Sequence, residues 1–146
     1  MAKSPLKSDS KDRKILLIVW LLFFILNGVI ILFIYFQEWI GQDNFLAAIK
    51  EWNSSYAPYI GAITLFYWGC AKKKHALKTE ETRTAFYIAL ICSLIWNGIV
   101  LIFLLPPLLG TGAIETSLEN IKEIASLLSW LVAGSIGYYF ANKSSA

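Results

Sequence analysis

Long apolar runs separated by short polar segments divide this chain. Residues 15–36 and 85–105 each hold about twenty nearly uncharged, mostly apolar residues, which is the length a helix needs to cross a hydrocarbon core of roughly 30 Å. A shorter apolar run covers residues 55–70, and a fourth helical segment is predicted from residue 117 to 140. The pattern predicts an all-α polytopic membrane protein with four transmembrane helices.

Local signals refine the ends of these helices. Pro58 removes one backbone donor and is expected to kink or restart the second helix. Pro106 and Pro107 are expected to end the third. Thr116, followed three residues later by Glu119, matches a capping box that would open the fourth helix at about residue 117.

The two halves of the chain repeat one another. Residues 25–33 (ILNGVIILF) match residues 95–103 (IWNGIVLIF), 70 positions later. At an offset of 72, residues 46–54 match residues 118–126, and residues 60–69 match residues 132–141. Such self-similarity indicates a tandem duplication of a two-helix hairpin, with residues 15–71 as the first hairpin and 85–142 as the second.

Charge placement predicts the orientation. Of the 13 Lys and Arg residues, 11 fall in residues 1–14, 72–84 and 143–146, and the other two are Lys50 and Lys122. The positive-inside bias therefore predicts a basic cytoplasmic tail, a basic cytoplasmic loop and a cytoplasmic C-terminal tail, in a multi-pass protein of the inner (plasma) membrane. The hairpins would then be parallel repeats about an axis along the membrane normal, a symmetry that suits a ring of several copies.

Two amides lie inside the apolar runs at matching depth, Asn27 and Asn97. An unsatisfied amide in hydrocarbon is costly, so each is expected to face another helix or a wet cavity. One interpretation is hydrogen bonding between helices, with Gly28 and Gly98 allowing a neighbouring helix to approach closely. The other is a polar ring that lines a pore.

Small residues recur on the second and fourth helices. Ala133, Gly137 and Ala141 follow one another at four-residue intervals, and Gly61 holds the place of Ala133 in the first hairpin. Such a stripe indicates close helix packing, or alternatively the lining of a narrow passage. The fourth helix also carries most hydroxyl groups, so a pore would be lined there, by Ser126, Ser129 and Ser135.

The cytoplasmic loop is strongly basic. Its cations serve at least as a topology determinant, and they could also hold anionic lipid head groups, an anionic cytosolic ligand or a cytosolic protein. The residues concerned are Lys72, Lys73, Lys74, Lys78 and Arg83. No direct reading of DNA is expected.

No enzyme site can be assembled from this sequence. It has one His, no Cys/His cluster and no nucleophile with an adjacent base, so we expect no catalysis, no metal and no cofactor. Coupled transport is poorly supported as well, because no Asp, Glu, Lys, Arg or His lies in the middle of an apolar run.

The overall plan of short spans, basic inner segments and a last helix closing on residues 137–144 (GYYFANKS) resembles small membrane components of bacterial antiphage defence systems. The resemblance implies an oligomeric pore-forming or membrane-disrupting effector, or a membrane sensor that docks a soluble partner. It assigns no role to any single residue.

The function predicted first is a homo-oligomeric channel or membrane-permeabilising effector in the lipid bilayer. The alternative is a membrane anchor or sensor that recruits a cytosolic partner to the basic loop, and a small transporter comes third. A channel should present polar positions towards an oligomer axis, whereas an anchor should be dry and apolar throughout.

Overall fold

Four long α-helices make up the computed structural model, which describes residues 6–69 and 80–144. The helices are α1 (Leu6–Phe36), α2 (Gln42–Gly69), α3 (Glu80–Leu108) and α4 (Ile114–Ser144). The shortest, α2, has 28 residues and is therefore about 42 Å long at a rise of 1.5 Å per residue. The prediction of an all-helical chain of four helices is confirmed.

Equivalent helices of the two hairpins lie side by side, α1 next to α3 and α2 next to α4. In the bundle α1 packs against α2 and α3, and α4 packs against α2 and α3, so α1 and α4 are diagonally opposite. A twofold axis through the bundle would instead place α1 beside α4 and α2 beside α3. The second hairpin is thus displaced sideways from the first.

Two of the described helices, α1 and α3, are long and apolar enough to cross a membrane. Their outward surfaces are apolar. Every exposed residue of α1 between Ile15 and Phe36 is apolar, and α3 exposes Ile88, Ile95 and Ile102. In the apolar part of α1 only 28% of residues are buried, so α1 is not the enclosed core helix of a water-soluble bundle. Contiguous apolar surface of this kind marks contact with lipid or with another protein.

The observed helix ends differ from several predicted ones. α1 begins at Leu6, well inside the segment predicted to be a tail, and α2 runs through Pro58 without a break. Pro58 is exposed, so its ring meets no neighbouring helix.

At the other end of the bundle, α3 continues through Pro106 and Pro107 and ends at Leu108. The carbonyl of Pro106 then accepts bonds from the backbone N–H and the side-chain hydroxyl of Thr111, at 2.9 and 3.2 Å. α4 begins at Ile114, before the predicted capping box. Thr116 is therefore already inside the helix, and the predicted start at residue 117 was wrong.

Candidate functional site

A chain of hydrogen bonds crosses the middle of the bundle and joins three helices. Nδ2 of Asn27 on α1 donates to the Tyr56 hydroxyl on α2 at 2.5 Å. That hydroxyl donates to Oδ1 of Asn97 on α3 at 3.0 Å, and Nδ2 of Asn97 donates to the backbone carbonyl of Ser93 at 2.7 Å. All three side chains are fully buried, as expected of bonds that hold helices together in an apolar interior.

Trp20 and Ser93 extend this cluster towards the end of the bundle at which α1 begins. The indole N–H of Trp20 donates to the Ser93 hydroxyl at 3.0 Å, which in turn donates to the carbonyl of Ala89 at 2.7 Å. The Trp20 ring stacks on Tyr59 at 4.7 Å and lies 5.2 Å from the ring of Trp96. Aromatic rings therefore fill the space beside the polar cluster.

Two buried polar atoms of this region have no hydrogen-bond partner among the described residues, Oδ1 of Asn27 and Nε1 of Trp96. One is an acceptor and the other a donor. Leaving either unpaired costs stability. The centre of the bundle is thus held by hydrogen bonds without being fully satisfied.

The two equivalent glycines have different surroundings. A Cβ on Gly28 would lie 2.7 Å from the Trp52 ring, which stacks on Phe24 at a centroid distance of 4.1 Å. A Cβ on Gly98 would meet nothing within 4 Å. Close approach therefore occurs at Gly28 only, where an indole occupies the space.

The outward surfaces of α2 and α4, which we call the α2–α4 face, contain small and polar residues. Positions related by the offset of 72 are exposed in both helices, which supports the sequence repeat. The exposed equivalents are Lys50 and Lys122, Ser54 and Ser126, and Gly61 and Ala133.

The two glycines of the predicted small-residue stripe make no close helix contact inside the bundle. Gly137 is half-buried, and a Cβ there or at Gly61 would meet nothing within 4 Å. The hydroxyls of Ser129 and Ser135 donate to carbonyls of their own helix, those of Ser126 and Val132, at 2.9 and 3.0 Å. Their oxygens remain able to accept hydrogen bonds.

Near the end of the bundle at which α1 ends, charges join the two hairpins. Nζ of Lys122 on α4 lies 3.8 Å from Oε1 of Glu51 on α2. Glu51, Lys122 and Ile31 line one cleft, and Ile31 lies five residues, or about 7.5 Å, before the end of α1. Closer to that end, Asn44 donates to Glu115. The α2–α4 face is therefore charged at a level where α1 is still apolar.

Several predicted site residues lie elsewhere or outside the described part. Arg83 is exposed near the start of α3, with its guanidinium 5.8 Å from the Tyr87 ring centre. Ala141 belongs to α4, but its side chain is not among those described. The remaining cations of the predicted basic loop lie outside the described residues, namely Lys72, Lys73, Lys74 and Lys78.

Sequence reasoning singled out the two amides and missed the residues that bond them. Tyr56 lies in a polar stretch (WNSSYAP) that reads as an interfacial segment, and Ser93 is a single hydroxyl in an apolar run. The position of each amide along its apolar run was the available signal, because an amide in hydrocarbon needs a hydrogen-bond partner at its own depth on a neighbouring helix. Tyr56 is the hydroxyl of α2 that lies there.

In comparisons with protein families, curated proteins and solved structures, no family model, curated protein or solved structure matches this chain.

Proposed function

We propose that this chain crosses a plasma membrane four times with both termini in the cytoplasm. The exposed apolar surfaces of α1 and α3 favour a lipid environment, and each of the four helices is long enough to cross it. The concentration of Lys and Arg in residues 1–14, 72–84 and 143–146 favours a cytoplasmic location for these segments. α2 and α4 cross the membrane with their polar sides turned away from lipid.

The function that the geometry supports best is that of a homo-oligomeric channel whose axis is lined by the α2–α4 face. The single observation that carries this proposal is the two-sidedness of the bundle. The exposed residues of α1 between Ile15 and Phe36 are all apolar, whereas α2 and α4 expose hydroxyls, small residues and charges among large apolar side chains such as Leu65 and Trp130. Charges at that depth are favourable only in a polar, wet surrounding.

In this account the central amides stabilise the subunit, and the lining is a separate surface. Asn27 and Asn97 are fully buried and bonded to Tyr56, so they have no access to an axis outside the bundle. The exposed Ser126 and Ala133 lie one above the other on α4, two turns apart. A path lined by them is narrow and moderately polar, which suits the passage of ions.

A channel of this kind acts as a membrane-permeabilising effector when it opens on a signal. That is the role implied by the resemblance to membrane components of antiphage defence systems. An anionic ligand or a protein bound at the basic cytoplasmic loop would supply the signal. The loop in question is rich in lysine, from Lys72 to Lys78.

Ion flux from liposomes that contain the purified protein tests the channel, with the oligomer mass measured on the same sample. We expect an oligomer and a flux that falls when Ser126 and Ala133 are both replaced by Leu, because two bulky apolar side chains would narrow and dry the path. The control replaces the lipid-facing Ile25 and Ile95 by Leu and should leave the flux unchanged. A monomer, or a flux equally sensitive to both pairs, would contradict the proposal.

A further inference from the structure

Each hairpin carries one Lys-Glu dipeptide, and only one residue of each dipeptide takes part in the ion pair within one copy. Lys50-Glu51 on α2 corresponds to Lys122-Glu123 on α4 at the offset of 72. The first dipeptide contributes its Glu and the second its Lys to the ion pair that joins the hairpins. Lys50 and Glu123 remain exposed and make no ion pair within the described part of the chain.

These two remaining charges are opposite in sign and equivalent in register to the pair already formed. Glu123 corresponds to Glu51, and Lys50 corresponds to Lys122. Consecutive residues of a helix project about 100° apart, so neither residue points in the direction of its paired neighbour. A single copy thus presents an unmatched Lys on α2 and an unmatched Glu on α4.

The side-by-side packing of the two hairpins indicates how a second copy would bring these opposite charges together. α2 lies beside α4, and α1 lies beside α3. An interface that joins one surface of a unit to a different surface of the next unit does not close on two units: it forms a ring when the rotation between units closes, and an open array when it does not. The contact between hairpins inside the chain is of this heterologous kind.

We infer that a second copy of this chain docks with its first hairpin against the second hairpin of the copy before it, and that Glu123 of one copy pairs with Lys50 of the next. This inference rests on the proposed homo-oligomer and specifies which surfaces meet. The docked copy repeats the contact already present between the hairpins, and it places every α2 and α4 around one axis.

Two large apolar side chains on α4 are exposed on the surface that the inference assigns to the neighbouring copy. Leu127 and Trp130 follow Glu123 by one and two turns and are 68% and 71% exposed. Both lie next to the charge that the inference pairs with the neighbouring copy, and exposed apolar side chains of this size mark a contact with lipid or protein. The neighbouring copy covers both side chains while the smaller residues stay at the axis.

Cysteine cross-linking in the full-length protein tests this interface. In a background with Cys70→Ala and Cys92→Ala, we would combine one population carrying Lys50→Cys with another carrying Glu123→Cys and treat the membranes with a short bifunctional maleimide. We expect a covalent dimer from the mixture and none from either population alone. The chain carrying both substitutions should give a ladder whose longest rung is the number of copies in the ring.

The matched control pairs Glu123→Cys with Leu22→Cys, which lies on the exposed apolar side of α1, and should give no dimer. A charge exchange gives a second readout. Lys50→Glu alone should weaken assembly by roughly tenfold or more through like-charge repulsion, and adding Glu123→Lys should restore it.

The outcomes separate this inference from the proposed function. An oligomer of the expected mass without the mixed dimer would overturn the interface and leave the homo-oligomer intact. A monomer would overturn both. The mixed dimer and its ladder, found in a protein that passes no ions, would support the interface and reject the channel.

Discussion

At the scale of single residues, the buried amides explain how the bundle holds together. Asn27 and Asn97 could be recognised in the sequence because amides are rare in apolar runs of this length. Their shared partner could not, since the side-chain hydroxyl of Tyr56 comes from a segment whose depth depends on how α2 packs. Removing that hydroxyl tests the cluster.

Tyr56→Phe should destabilise the subunit by about 1–3 kcal/mol, because it leaves Nδ2 of Asn27 and Oδ1 of Asn97 buried without their partner. The matched control is Tyr138→Phe on the exposed side of α4, which should change little. Reversible unfolding in detergent measures both. Equal stability of the two variants would show that the Tyr56 hydroxyl contributes nothing.

The equivalent glycines provide a second test at this scale. Gly28→Ala should cost about 1–3 kcal/mol, because the new methyl group would overlap the Trp52 ring and force it to move. Gly98→Ala has open space around it and should be neutral or stabilising by up to about 1 kcal/mol, since alanine favours the helix. The same unfolding measurement decides, and a larger cost at Gly98 would contradict the packing described.

At the scale of helices, the end of α1 carries backbone strain. The N–H of Glu38 bonds the carbonyl of Tyr35 at 2.9 Å, and that of Trp39 bonds the carbonyl of Ile34 at 3.4 Å. This is the bonding of a Schellman motif, whose C′ position adopts a positive φ and favours glycine. Here Glu38 occupies it with a φ of 59°.

Glu38→Gly should therefore stabilise the protein by about 1 kcal/mol, since glycine adopts a positive φ without the strain of a side chain. The control is Glu38→Ala, which removes the same carboxylate but keeps the strained Cβ. Thermal unfolding of the two variants side by side measures the difference. If alanine stabilises as much as glycine, the carboxylate rather than the backbone is responsible.

Sequence patterns predicted the helices better than their ends. Apolar runs specify α1 and α3 because a long segment in an apolar surrounding must pair its own backbone N–H and C=O groups, and a helix does this within the segment. The capping box at Thr116 was overridden because α4 begins earlier, where Ile114 is fully buried against the bundle. Pro58 did not interrupt α2, since the ring lies on the exposed side and only one backbone bond is lost.

At the scale of the whole molecule, the repeat was visible in the sequence, but the packing of its halves was not. A duplicated hairpin fits a twofold axis and a sideways displacement equally well. Which arrangement forms depends on side chains that differ between the two hairpins. Tyr56 of the first hairpin bonds both amides, whereas its equivalent in the second hairpin, Leu128, has no hydroxyl. Because of that difference, both amides bond to α2, the second helix of the first hairpin.

The same asymmetry separates stability from function in this account. The polar residues inside the bundle join its helices, and the polar residues outside it, on the α2–α4 face, form the surface that we propose for ions. The sequence pointed to both sets, but it could not tell which of them faces inward. Burial distinguishes them, because Asn97 is fully enclosed and Ser126 is exposed.

The most direct test of this account measures which face of the bundle is wet. In the same Cys70→Ala, Cys92→Ala background, Ala133→Cys and Ile95→Cys are reconstituted in liposomes and exposed to a charged, membrane-impermeant thiol reagent while ion flux is recorded. Both positions are exposed on the bundle, one on the α2–α4 face and the other among the apolar residues of α3.

A channel lined by the α2–α4 face should give rapid modification at residue 133 with a fall in ion flux, and slow modification at residue 95 with no change in flux. Equal reactivity at the two positions, or an unreactive residue 133 in a protein that still conducts, would contradict it.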